Sequence, residues 1–160
     1  LRIVTPEITG RNNFLITKGY YGNTKTYHII LKNKSPENYY YVMTLLNSTL
    51  LDFIYKTICT PQAGGYYAYK TQFLKHIPII LGSKYTCQRI SKLGRTIEER
   101  KKESPTTDTT TFENEIDLLV YKLYGLTYEE VKIVDPDIEK IISEEDYNTI
   151  SAIKIETANA

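Results

Sequence analysis

Histidine and cysteine are scarce in this chain of 160 residues, which holds two of each: His28, His76, Cys59 and Cys87. No two of them stand at the short spacing of a zinc site, so no metal centre is expected. Neither histidine has a serine or cysteine nearby in sequence that it could activate as a nucleophile. The two cysteines lie far apart. Two reduced thiols fit them better than one disulfide, and that points to the cytoplasm. No apolar run approaches the roughly 20 residues of a membrane span, and no signal peptide is visible, so no membrane partner is expected. Glycine occurs adjacent to glycine only at Gly64-Gly65, and neither a P-loop nor a dinucleotide fingerprint can be built on that pair. The first residue is Leu1 and not an initiator methionine, which reads as a piece of a longer protein.

Two features stand out against an ordinary composition of 41% hydrophobic and 24% charged residues. The first is charge. Residues 1–104 hold 16 of the 20 Lys and Arg and 6 of the 19 acids, a net of +10, while the remainder carries a net of −9. A split of this kind suggests an anionic partner for the first part. The second is tyrosine: 15 against 4 phenylalanines and no tryptophan. Tyrosine offers a flat ring for stacking and a hydroxyl for phosphates or base edges. Interleaved with Lys and Arg it suits a nucleic-acid surface, although half-buried strands and helices also use it routinely.

The pattern along the chain predicts an α+β fold: a small antiparallel sheet packed on a long amphipathic helix, followed by a C-terminal helical region. Arg2–Val4, Phe14–Thr17 and Thr26–Leu31 are β-branched or aromatic runs separated by turn-forming stretches at 9–13 and Gly22-Asn23. Ser35-Pro36-Glu37 starts a helix, predicted to run to about Ile58, with Val42, Leu45, Leu46, Leu50, Phe53 and Ile54 as one core stripe. After the break at 60–65, Tyr66–Lys70 reads as a short strand and Thr71 as the cap of a helical turn from Gln72 to Lys75. Ile77, Ile79 and Ile80 read as buried. A basic helix follows over about 85–102. The expected organisation is a basic core, 1–103, a threonine-rich linker, 104–111, an acidic helical hairpin, 112–150, and a frayed tail, 151–160.

No catalytic set can be assembled. The acids at Glu113, Glu115 and Asp117 and at Glu129 and Glu130 alternate with apolar residues, the pattern of a solvated helix face. Asp52 stands mid-helix without the second acid that a metal nuclease needs.

Three segments in order carry a family resemblance: Leu45-Leu46-Asn47-Ser48-x-Leu50-Leu51-x-Phe53, then Gly64-Gly65 with Tyr69-Lys70 and Ile77-Pro78-Ile79, then Ile116-Asp117-Leu118-Leu119-Val120-Tyr121 with Leu123-Tyr124-Gly125-Leu126-Thr127 and Glu129-Glu130. Over roughly residues 10–134 the chain resembles the TaqI-like C-terminal specificity domain of adenine-N6 DNA methyltransferases and of fused restriction–modification enzymes of the Eco57I type. It departs from that pattern at Ile80, where a second proline is usual, and in the threonine-rich segment.

The resemblance implies a module that reads double-stranded DNA beside an N-terminal methyltransferase domain of the same chain. That domain would bind S-adenosylmethionine and carry an Asn-Pro-Pro-Tyr-type loop. No such tetrapeptide occurs here, so neither catalysis nor a cofactor is expected of these residues. Base edges are expected to be read by Arg11, Asn12 and Asn13, since Arg pairs well with guanine and Asn with adenine. Lys18 and Lys25 are expected to meet phosphates. The matched motif adds Gly64, Gly65, Tyr66, Tyr67, Tyr69, Lys70 and Gln72 to the DNA face, with Lys70 on a phosphate. Two other readings fit the sequence less well: a specificity subunit of a multi-subunit restriction system, and a protein-interaction module docking through its acidic hairpin.

Overall fold

The computed structural model describes residues 1–19 and 25–150. The Gly22-Asn23 turn and the tail 151–160 lie outside the described residues. The fold is α+β and forms two compact units, Leu1–Ile79 and Ile80–Ala160. This division falls earlier than the change in charge, because the basic helix belongs with the acidic helices that follow it.

The first unit holds two small antiparallel sheets. In one, β1 (Arg2–Pro6) lies between β3 (Leu15–Thr17) and β4 (Thr26–Ile29). Its residues alternate between half-buried and buried, with Ile3 and Thr5 facing inward, as the two-residue period of a strand requires. In the other, β6 (Tyr66–Ala68) lies between β2 (Ile8–Thr9) and β5 (Pro61–Gln62). Helix α1 (Pro36–Leu46) packs against β1 and β3. Ser35 caps it by accepting from the Asn38 N–H, and Pro36 occupies the first turn, where its missing N–H costs nothing.

The helix predicted to run unbroken to Ile58 is in fact two. Helix α1 ends at Leu46, Asn47 and Ser48 intervene, and α2 (Thr49–Ile58) starts afresh with Ser48 as its cap, accepting from the Leu51 N–H. Short polar side chains compete for backbone groups, and here the Ser48 hydroxyl serves both ends, donating to the Leu45 carbonyl of α1 at 2.7 Å as well. The break shifts the phase of the apolar stripe. Leu45, Leu46 and Leu50 are buried as predicted, but α2 turns Leu51 and Tyr55 inward and leaves Phe53 37% exposed. Tyr39, Tyr41 and Met43 complete the buried face of α1. The turn of helix after β6, α3 (Thr71–Leu74), also differs: Thr71 is its first residue and Lys70 its cap, without a side-chain hydrogen bond. Ile77 is buried, whereas Ile79 is exposed and Ile80 half-buried.

The second unit is helical. Helix α4 (Lys84–Glu103) is capped by Ser83, and α5 (Thr110–Leu123) packs along it. The threonine-rich segment is shorter than predicted, because Thr110 already belongs to α5 and Thr109 is buried with its hydroxyl on Glu113. Gly125 ends α5 at φ 73°, with the Leu126 N–H on the Tyr121 carbonyl at 3.0 Å, the αL termination that glycine favours. Thr127 and Glu130 form a reciprocal capping box for α6 (Tyr128–Val134), which packs against α7 (Glu144–Thr149). The predicted two-helix hairpin is thus replaced by two pairs: α5 takes α4 as its partner, and α6 takes α7. Among the described residues no helix is long and apolar enough to cross a membrane.

Candidate nucleic-acid interface

The strand β2 sets the site. Thr9 pairs with Tyr67, so the chain leaving β2 into the turn 10–13 runs beside the turn that enters β6. A Cβ on Gly10 would lie 3.8 Å from the Gly65 carbonyl oxygen. The structure therefore brings Arg11, Gly64, Gly65, Tyr66 and Tyr67, named from distant parts of the sequence, to one edge of the first unit. Gly64 and Gly65 both have positive φ, 77° and 78°, in a 3₁₀ turn over Ala63–Gly65. A left-handed pair of this kind costs an L side chain about 1–2 kcal/mol per residue, which is the physical reason for two glycines here.

Residues 11–14 alternate outward and inward. Arg11 and Asn13 are exposed; Asn12 and Phe14 are buried. The Thr9 hydroxyl donates to the Arg11 carbonyl at 3.0 Å and tightens the turn. The Asn12 N–H donates to Asp52 Oδ1 at 2.7 Å, and the Asn12 side-chain amide donates to the Leu46 carbonyl at 2.5 Å. Asn47 holds Phe14 by both backbone groups, accepting from its N–H at 2.9 Å and donating to its carbonyl at 2.8 Å. The loop is thereby stapled to the break between α1 and α2.

Two of the predicted DNA contacts are corrected by this geometry. Asn12 spends its side chain inside the fold, and its oxygen accepts from the Tyr69 hydroxyl at 2.7 Å. Tyr69 is fully buried, stacked on Tyr55 at 4.3 Å between ring centroids and met edge-on by Phe14. Burial pushes both tyrosine hydroxyls far above their ordinary range. Neither Asn12 nor Tyr69 can reach a groove.

The other named residues are placed as follows. Tyr66 is 50% exposed, and Tyr67 is half-buried with the Lys56 ammonium 5.4 Å from its ring centre. Lys70 and Gln72 are exposed at the start of α3. Lys25 is exposed, and its carbonyl accepts from the Glu7 N–H, whose own carbonyl accepts from the Tyr69 N–H; this puts Lys25 at the end of β1 nearest β2. Lys18 follows Thr17, which pairs with Arg2, so it stands at the opposite end of β1 and is not gathered with the rest.

Asp52 and Lys56 are the residues that sequence reasoning missed. They form an i,i+4 ion pair at 2.6 Å, and through it the Asp52 carboxylate that anchors Asn12 also holds the lysine over Tyr67. The two turns are linked by that pair. A signal existed in the sequence: Asn47-Ser48 interrupting an amphipathic run marks a helix start, and Asp52 falls in the first turn after it. Among the described residues no three His, Cys, Asp or Glu side chains gather as a metal would need.

The family model of the TaqI-like C-terminal specificity domain matches residues 1–79, the span of the first unit. The third sequence segment, from Ile116 on, lies outside that match. A protein of Methanocaldococcus jannaschii, named as a type II restriction enzyme and methyltransferase, is 28% identical over 133 residues, covering 80% of this chain. The chain spans 11% of that relative's length.

Proposed function

We propose, from the premise that residues 1–79 carry a TaqI-like C-terminal specificity domain, that the chain reads a DNA sequence on behalf of a methyltransferase or a restriction–modification enzyme. The observation that carries this is the edge where Arg11 and Asn13 project from a stapled turn beside the Gly64-Gly65 turn and Tyr66. Arginine can donate two parallel hydrogen bonds to guanine, and asparagine can exchange two with adenine. Each such pair discriminates against a wrong base by about 1–3 kcal/mol. A stapled turn holds those groups in place before DNA arrives, so less ordering entropy is lost on binding. The glycine turn lets backbone approach the duplex closely, and Lys70 and Lys25 would meet phosphates, which orient the module without reading sequence.

The chemistry belongs elsewhere in the reading we favour. A methyltransferase domain on the same polypeptide would hold S-adenosylmethionine, the methyl donor, and act on adenine N6 in the cytoplasm. The residues of this chain bind and orient the target duplex only. The test is the methylation pattern of the protein that carries this chain. Combined Arg11→Ala and Asn13→Ala substitution should relax or change the methylated sequence while methyl transfer itself continues. Unchanged sequence selectivity in that variant would overturn the assignment of the reading turn.

A further inference from the structure

We infer that the outward face of α4, in the second unit and outside the span matched by the family model, is a second surface for the phosphate backbone of duplex DNA. It rests on the reading of the chain as a DNA-binding module. Seven Lys and Arg occupy α4; six of them divide into two sets by direction, and the exposed Lys101 belongs to neither. Arg89 and Arg100 face α5: Arg89 donates to Glu115, from Nε at 2.8 Å, and Arg100 lies 4.7 Å from the centre of the Phe112 ring. The second set faces solvent. At about 100° per residue, Lys84, Gln88, Lys92, Arg95 and Lys102 fall within roughly 80° of one another on the side opposite the buried Ile90. All five are exposed.

Solubility alone does not account for this arrangement. The unit already carries a large excess of acid after residue 104, and a mixed surface would serve. Instead four of the seven cations line one side of a helix of 20 residues, with Glu99 the one acid among them; Glu98, at the margin, pairs with Lys102 at 3.0 Å. Such a helix is about 30 Å long, and Lys84 and Lys102 stand about 27 Å apart along its axis. A rigid row of positive charge on that scale matches several successive phosphates of a duplex, which carries one negative charge per about 1.7 Å of its axis.

Counterion release gives a readout that counts phosphate contacts. The affinity of the full chain for a random-sequence duplex is measured against salt, for the wild type, for Lys92→Gln with Arg95→Gln, and for Lys132→Gln with Lys140→Gln. The last pair removes the same charge from α6 and the turn after it. Glutamine keeps helix propensity, and circular dichroism checks that helix content is retained. The slope of log affinity on log salt should fall by about 2 in the α4 variant, since each lost phosphate contact removes about 0.9. The control pair should leave the slope unchanged. Equal changes in both variants would mean net charge alone matters and would overturn the assignment. So would a slope retained by the α4 variant. A wild-type chain that shows no salt-dependent duplex binding would overturn the DNA reading as a whole, and this surface with it.

Discussion

The Tyr69 hydroxyl donates to the Asn12 amide oxygen at 2.7 Å, joining residues 57 positions apart inside the first unit. Each had the chemistry of a DNA contact, and each is the other's partner instead. The bond closes a network in which Asn12 also donates to Asp52 and to the Leu46 carbonyl.

Tyr69→Phe should therefore act on stability and not on recognition. It leaves the Asn12 oxygen buried without a donor, at a cost of about 1–2 kcal/mol. The stacking on Tyr55 is kept, so the loss should not exceed that range. Urea unfolding should show a lower midpoint at unchanged slope. Duplex affinity measured well below the midpoint should stay at the wild-type value, and a large loss there would place Tyr69 at the DNA after all.

Element types were legible in the sequence because periodicity and caps are local. Ser35-Pro36 marked the start of α1 in this way. The break at Asn47-Ser48 was not read, because the apolar spacing across it still scans as one helix. Its cause is tertiary: Asn47 is engaged by Phe14, which is remote in sequence. The same reason explains Asn12 and Tyr69. Polar side chains suited to base edges are equally suited to satisfying a buried turn, and residue type alone does not tell the two apart. Arg11 and the two glycines were placed together only by the pairing of Thr9 with Tyr67. The acidic region was legible as helical, but the choice of packing partner is a tertiary matter that the local pattern does not carry.

Asn47→Ala separates positioning from folding. Asn47 is itself exposed, yet it holds both backbone groups of Phe14. Losing those bonds should lower stability by about 1–2 kcal/mol. It should also loosen the turn that carries Arg11 and Asn13. Selection from a random duplex library should then yield a broader sequence preference, with the salt dependence of binding unchanged. A sharp preference retained by the loosened turn would show that stapling does not contribute to reading.

Gly65→Ala probes backbone conformation alone. No atom lies within 4 Å of a Cβ built at this position, so crowding contributes nothing, and φ of 78° alone penalises the side chain. The expected cost is about 1–2 kcal/mol. Gly65→Asn should cost less, because asparagine tolerates the left-handed region better than alanine. At Gly64, with φ 77°, a Cβ would make only ordinary van der Waals contact with the Tyr66 ring at 3.5 Å, so there too the backbone conformation carries the cost. Equal thermal midpoints for alanine and asparagine at Gly65 would argue against a conformational origin.

Alkaline pH should destabilise the second unit over a defined window. Tyr124 and Tyr147 both have their hydroxyls pushed up to about 12, first by burial; for Tyr147 the Glu130 carboxylate adds to the effect. The ordinary value is 10.0. Below that value both groups are protonated in the folded and the unfolded chain, and stability does not depend on them. Between pH 10 and about 12 the unfolded chain releases protons that the folded unit retains, so stability falls as pH rises. Above about 12 both states are ionised and no further loss accrues from these groups. Tyr147→Phe should flatten part of that fall, although it also removes the hydroxyl's bond to the Leu126 carbonyl at 2.8 Å and lowers stability at neutral pH. Urea midpoints across this range, read with the ultraviolet absorbance of tyrosinate, check both effects. Full tyrosinate absorbance near pH 10 from a chain that is still folded would contradict the burial that sets these values.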